Sequence, residues 1–167
     1  IGDIIFSLFL IVTLSPLFII IILCLFFLEG KPIFYSQVRT GLNTKHIKII
    51  KFRTMVVNAE INGPQWSCKD DKRVTFIGKI LRKFRLDELP QLINVIKGDM
   101  SLIGPRPERP EFDIELKKKI SNYNLRYKVK PGLSGWAQVN YHYSSNINDA
   151  INKLNYDIYY INHISSL

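Results

Sequence analysis

Hydrophobic and polar positions divide the chain into two unequal stretches. From Ile1 to Leu28 apolar residues run almost unbroken, and Asp3 is the sole charged side chain. A straight helix of this length reaches about 40 Å, enough to cross a bilayer with tilt. Ser15-Pro16 interrupts it near the middle. Proline removes a helix hydrogen bond and clashes with the preceding turn, while the Ser15 hydroxyl can satisfy a freed backbone group. Each half is then only about 20 Å long, too short to span alone. Two arrangements fit: a kinked transmembrane helix, or a re-entrant hairpin that enters and leaves by the same face. A signal peptide is excluded by the length of the run and by Leu28-Glu29-Gly30-Lys31-Pro32, which lacks a small-residue cleavage site.

Beyond Gly30 the periodicity changes. Ile33 to Val38 and His46 to Phe52 are β-prone runs around Thr40-Gly41-Leu42-Asn43, which predicts a hairpin with Ile47, Ile49 and less strictly Phe52 on a covered face. Val57 to Arg73 is polar, with Gly63-Pro64 and Asp70-Asp71, and predicts a loop. Ile77, Ile80, Leu81 and Phe84 predict a short helix over 77–85. A second helix is expected from Asp87, with Asp87 as its N-cap, Pro90 in its first turn and Gly98 as its stop. Three prolines in Gly104-Pro105-Arg106-Pro107-Glu108-Arg109-Pro110 forbid regular structure and make a stiff loop. A helix follows over 111–120, then the turn-rich Lys130 to Trp136. Ile147, Ile151, Leu154, Ile158 and Ile161 predict a closing amphipathic helix. The fold class is α+β: a small helix-dominated domain with one β-hairpin, divided as a membrane segment over 1–30 and a soluble part over 31–167. The start at Ile1 rather than Met leads to the expectation of a fragment.

Charge sharpens this picture. The chain of 167 residues carries 23 Lys and Arg against 14 Asp and Glu, for a net charge of +9, nearly all outside the apolar run. A basic domain beside a membrane segment suits anionic lipid or anionic substrates; nucleic acid is the other standard partner of such charge. Cys24 and Cys68 lie in unlike surroundings without a Cys-x-x-Cys or His cluster, which argues against a disulfide framework or structural zinc and for a reducing compartment. His46, His142 and His163 have no ligand spacing. Tyr141, Tyr143, Tyr156, Tyr159 and Tyr160 suit a core or a membrane interface. Asp157 reads as a local hydrogen-bonding or capping residue, and neither common nucleotide-binding glycine loop is present.

The stretch Arg82 to Leu92 holds the chemistry. It sets Asp87-Glu88 between a basic helix and an apolar one. The bland reading is a cap and a first-turn acid complementing the helix dipole. The neighbourhood argues for more: Arg82, Lys51 and Arg53 on one strand face, and Arg106 between two prolines are cations able to converge on the pair. An aspartate held ionised at a helix N-terminus is a nucleophile towards phosphorus or a ligand for Mg²⁺, and its neighbour is suited to metal or proton handling.

In this order, the Ser15-Pro16 break, Lys51-Phe52-Arg53-Thr54-Met55, the Leu86 to Leu92 run, Lys97-Gly98-Asp99-Met100-Ser101, Gly104-Pro105-Arg106-Pro107-Glu108 and Lys130 to Val139 resemble the bacterial sugar transferase family, the monotopic phosphoglycosyl transferases. The resemblance covers essentially the whole chain. It implies transfer of a sugar-1-phosphate from a UDP-sugar to polyprenol (undecaprenyl) phosphate, with release of UMP, to begin surface polysaccharide or glycoconjugate assembly. It also implies Asp87 as nucleophile in a phosphosugar-aspartate intermediate, Glu88 assisting, Mg²⁺ held by Asp87 and Glu88, and Lys51, Arg53, Arg82 and Arg106 as phosphate clamps. The broken helix is then re-entrant, the site lies at the cytoplasmic face of the inner membrane, and no nucleic acid is involved. Relative to the family, the chain lacks the basic residues before Ile1 and stops before a final apolar segment. The competing expectation is a membrane-tethered basic module that binds nucleic acid or anionic lipid without catalysis; a hydrolase using the same aspartyl-phosphate chemistry is a third.

Overall fold

A computed structural model of the chain describes residues 1–61, 63, 65, 71–141 and 147–164, the last stretch from Asn148 onwards with side chains. Expectations for Pro64, Cys68, Asp70, His142, Tyr143 and the Ile147 side chain lie outside the described residues.

The apolar run forms two helices, α1 (Gly2–Thr13) and α2 (Ser15–Glu29), bent by 62° at the break. The Ser15 hydroxyl donates to the Val12 carbonyl at 2.8 Å, which satisfies part of the backbone that Pro16 frees. Neither helix is long and apolar enough to cross a membrane, although the bent pair together passes that test by length and composition.

The hairpin forms as expected from β1 (Phe34–Thr40) and β2 (His46–Phe52), antiparallel, with Tyr35 opposite Lys51. Its two faces are covered by different elements. Ile49 packs with Val95 and Met100, whereas Phe52, on the opposite face, is buried among Ile21 and Leu25 of α2 and Leu81. The apolar segment therefore shares a core with the rest of the chain. Arg53 strengthens that joint. Its guanidinium donates to the carbonyls of Glu29, Gly30 and Lys31 at 2.7, 2.8 and 3.2 Å, satisfying acceptors that the end of α2 leaves open.

Helix α3 (Phe76–Lys83) is capped by Thr75, whose hydroxyl accepts from the Gly78 amide at 3.0 Å. The next helix departs from the sequence expectation. It opens as a 3₁₀ segment, Leu86–Gln91, and becomes α-helical only over α4 (Leu92–Ile96). Arg85, in the left-handed region, occupies the N-cap position, and Asp87 makes no capping hydrogen bond. Pro90 explains the tighter start, since it cannot donate into an α-helical ladder. Lys97-Gly98 ends α4, with Gly98 at φ +82°.

A second sheet is a further difference. Strands β3 (Ser101–Ile103) and β4 (Gly132–Ser134) pair in parallel, so the turn-rich stretch before Trp136 contains a strand. Between them lie α5 (Pro110–Lys119) and a 3₁₀ turn, Tyr123–Lys128. The fold closes with α6 (Trp136–Asn140) and α7 (Ile147–His163). Leu116, Ile120, Tyr123, Tyr127 and Leu154 form the core there. The buried face of α7 is rotated from the aliphatic stripe: Leu154, Asp157 and Tyr160 point inward while Ile151 is exposed. Two polar contacts lie on this face. Asp157 pairs with Arg126, and the Tyr160 hydroxyl donates to the Ile103 carbonyl at 3.0 Å.

Candidate active site

Asn94 sets the site's geometry. It is buried on α4, where its side-chain amide donates to the Lys48 carbonyl at 2.8 Å and accepts from the Ile50 amide at 3.2 Å. The side chain thus imitates a third strand along β2, and an edge that would otherwise be an unpaired buried ladder is satisfied. Fixing α4 there also fixes the preceding 3₁₀ segment, which brings Glu88 against Lys51 of β2. Nothing in the apolar pattern distinguishes Asn94 from its neighbours, so sequence reading misses it.

Glu88 is locked. Its carboxylate accepts from Lys51 Nζ at 2.9 Å and from both terminal nitrogens of Arg106 at 2.5 and 3.2 Å, a bidentate grip. Burial alone would raise its pKa. Arg106 and Lys51 outweigh that and hold the carboxyl well below the ordinary glutamate range. Lys51 shifts as well: burial, with Arg106 close by, lowers its ammonium to about 8 despite the attraction of Glu88.

Asp87 is the opposite case. It is as buried as Glu88, 8 % against 7 % exposed, but no hydrogen bond reaches its carboxylate among the described residues. Burial raises its pKa, Glu88 adds to the rise, and Lys51, Arg82 and Arg106 oppose it. The ionisation expected of a capping aspartate is therefore not enforced here: Asp87 makes no cap, and burial outweighs the three cations that act on it through space. Arg82 reaches from α3, with Nε donating to the Thr54 hydroxyl at 2.9 Å.

The structure thus gathers Lys51, Arg82, Asp87, Glu88 and Arg106. Arg53 stands apart, its guanidinium directed at the end of α2. Strand alternation places it on the Lys51 face, and its amide still donates to the Ile33 carbonyl in the hairpin register, but carbonyls at the end of α2 take the guanidinium. Arg39 joins the surroundings unannounced by any motif: it donates to the Pro107 carbonyl at 3.2 Å and pairs with Glu108 at 3.4 Å. The loop that carries Arg106 is pinned on other sides too. Gly104 donates to the Ser134 carbonyl, Gly132 donates to the Pro105 carbonyl, and Arg126 donates to the Arg106 carbonyl. Gly132 is required there because a Cβ would lie 2.1 Å from the Gly104 nitrogen.

For a divalent cation the donor set is small. Among the described residues no group of three or more His, Cys, Asp or Glu converges. Mg²⁺ commonly takes one or two protein carboxylates and completes its shell with water and substrate phosphates, and the unpartnered Asp87 carboxylate fits that pattern. Glu88 fits it less well, because both its oxygens already accept from cations.

A buried carboxylate among cations can act on a phosphate group, and similarity to known proteins points the same way. The 134 residues matching the UDP-N-acetylgalactosamine-undecaprenyl-phosphate N-acetylgalactosaminephosphotransferase of Aeromonas hydrophila are 46% identical, covering 80% of this chain and 32% of that one. The UDP-glucose:undecaprenyl-phosphate glucose-1-phosphate transferase of Escherichia coli (strain K12) is 40% identical over 138 residues, covering 83% and 30%. The exopolysaccharide production protein ExoY of Sinorhizobium fredii is 38% identical over 152 residues, covering 82% and 66%. The chain spans about a third of the length of the first two. The profile of the bacterial sugar transferase family matches residues 1–167, every position from the bent apolar pair to the last helix, and the chain belongs to that family.

Proposed function

We propose that this chain is the catalytic part of a transferase that moves a sugar-1-phosphate from a UDP-sugar to polyprenol phosphate at the cytoplasmic face of the inner membrane. The observation that carries the proposal is the contrast between adjacent carboxylates: Glu88 immobilised by Lys51 and Arg106, Asp87 buried beside them without a hydrogen bond among the described residues. A nucleophile needs lone pairs that no donor occupies, and a diphosphate needs cations already in place.

In the first step a carboxylate oxygen of Asp87 attacks the sugar-bearing phosphorus. The bond from that phosphorus to the bridging oxygen breaks, UMP leaves with the electron pair, and a phosphosugar is left on Asp87. In the second step a phosphate oxygen of the lipid attacks the same phosphorus, the Asp87 carboxylate departs, and a polyprenol-diphosphate-sugar results. Neither step needs a net proton. Lys51, Arg82 and Arg106 bind and orient the phosphates and offset the repulsion between two anions. Glu88 holds Lys51 and Arg106 in place until the substrate competes for them. Mg²⁺ held by Asp87 and the substrate phosphates would supply further charge neutralisation.

The acceptor's location bears on the bent helix pair. We place it as a re-entrant element, and both of its ends support this. Asp3, at the start of α1, accepts from the Ser101 hydroxyl at 2.5 Å, and Arg53 holds the end of α2. Ends fixed to one folded body lie on one side of a membrane.

The test uses the full-length protein with Mg²⁺ and a panel of UDP-sugars that includes glucose and N-acetylgalactosamine donors. UMP release beyond one turnover is expected only with polyprenol phosphate present. A donor labelled in its sugar should leave denaturation-stable label on the protein. Asp87→Asn should abolish both signals, and sustained turnover in that variant would overturn the nucleophile assignment.

A further inference from the structure

Behind the Arg106 loop lies a buried polar cluster that the proposed chemistry does not use. Arg126, 8 % exposed, comes from the 3₁₀ turn after α5, and Asp157, 2 % exposed, comes from α7. One terminal nitrogen of Arg126 serves two acceptors: the Asp157 carboxylate at 3.0 Å and the backbone carbonyl of Arg106 at 2.7 Å. The other terminal nitrogen donates to the Tyr123 hydroxyl. The guanidinium also lies over the rings of Tyr123 and Tyr127, 5.0 and 5.8 Å from their centroids.

A buried ion pair is weak evidence of stabilisation, because desolvation offsets most of the Coulombic gain and well-packed apolar residues often serve as well. What such a pair does supply is direction. Arg106 is flanked by Pro105 and Pro107, so its own backbone torsions are restricted, and the loop moves largely as a stiff unit. The position of a stiff unit is set by what its carbonyls contact. Arg39 holds the Pro107 carbonyl on the hairpin side, and Arg126 holds the Arg106 carbonyl on the α7 side. Arg126 can aim a donor at that carbonyl only because Asp157 and Tyr123 fix its plane.

We propose that Arg126, oriented by Asp157, is a positioning residue that places the Arg106 guanidinium for its bidentate grip in the active site. This rests on Arg106 being a phosphate-binding group of the transferase. It gives α7 a part in the chemistry without touching substrate. It also explains why an acidic residue occupies the centre of that helix's buried face.

The test is a double-mutant cycle in the full-length protein, with kcat and KM for the UDP-sugar and the melting temperature measured on every variant. A displacement of about 1 Å in a positioned group lowers rates by up to about a hundredfold. Arg126→Gln is therefore expected to lower kcat/KM by roughly ten- to a hundredfold in the native background. In an Arg106→Lys background, where the bidentate grip is already lost, the same substitution should lower it less than about threefold. Equal factors in both backgrounds would assign Arg126 to general stability and overturn the proposal. If Arg126→Gln does not fold, Asp157→Asn carries the same cycle, with the same two outcomes. If the native protein turns over no UDP-sugar, the transferase reading fails by itself. The cycle is then read in affinity for inorganic diphosphate, where coupling supports the positioning role and additivity overturns it.

Discussion

Asp87 and Glu88 are neighbours in sequence with opposite demands on folding, and this separates their mutants. Glu88 ionises more readily in the folded chain than its usual 4.5. Its contribution to stability is therefore present above that value and lost as the pH falls through the lower folded pKa. Asp87 is raised, so its ionised form opposes folding at neutral pH. Asp87→Asn is expected to leave the melting temperature unchanged or higher while removing activity. Glu88→Gln should destabilise by about 3 kcal/mol, since it leaves buried Lys51 and Arg106 without their counter-charge. Thermal melts of the two variants decide it; equal destabilisation would refute the contrast. Lys51 supplies the pH test. With its ammonium at about 8, the proposed phosphate clamp loses a charge above that pH, so kcat/KM should fall on an alkaline limb there. Lys51→Arg should retain charge and move the limb upward, whereas an unmoved limb would assign it to another group. Folding itself runs the other way, gaining as the pH rises from about 8 towards 10.5 because the folded chain releases the proton first. Lys51, Arg82, Asp87, Glu88 and Arg106 were legible in the sequence because charge stands out against apolar runs. Asn94 and Arg126 were not, and Asp157 was read as a local hydrogen-bonding or capping residue although it pairs with Arg126, because a polar side chain inside a core is recognisable only through a partner distant in sequence.

At the scale of elements, long periodic helices and the hairpin could be read directly, while short pieces could not. Strands of three residues pairing in parallel across some thirty positions leave no alternation to detect, and their glycines read as turns. Those glycines allow close backbone approach, and the same logic at Gly78 links α3 to the site. A Cβ there would lie 2.2 Å from the Thr54 carbonyl oxygen, a backbone atom with little room to yield. Thr54 also accepts from Arg82 through its hydroxyl and from the Thr75 amide through its carbonyl. Gly78→Ala must therefore push α3 away from the end of β2 and carry Arg82 with it. The expected outcome is a loss of about 1–3 kcal/mol by overpacking, together with a higher KM for the UDP-sugar. An unchanged KM would show that Arg82 does not depend on this contact.

For the molecule as a whole, the proposed re-entrant arrangement sets a limit on how deep the bent apolar pair would reach into a bilayer. Helices α1 and α2 are about 18 and 22 Å long, and with a 62° bend their apex stands roughly 10 Å from the line joining their ends. Half a bilayer's hydrocarbon is about 15 Å thick, so a pair with both ends at one surface stays within one leaflet. The sequence revealed the break, but not what holds the ends. Asp3 does so at the first turn of α1, where its carboxylate also meets the positive end of the helix. A hydrogen bond to a charged group contributes about 1.5–3 kcal/mol, and Pro16 separately opposes a straight helix. Removing both, by Asp3→Leu with Pro16→Leu, should release α1 and let a fraction of molecules cross the membrane. Gly2→Cys and Gly30→Cys, in a background with Cys24 and Cys68 replaced by serine, report the two ends to a membrane-impermeant maleimide in sealed vesicles. In the native background both should label from one side. In the doubly altered protein a fraction of the Gly2→Cys label should move to the other, and that fraction should lose UMP release because β3 no longer anchors α1. Labelling of the two native ends from opposite sides would refute the re-entrant arrangement and leave Asp3 as a contact made only within the folded domain.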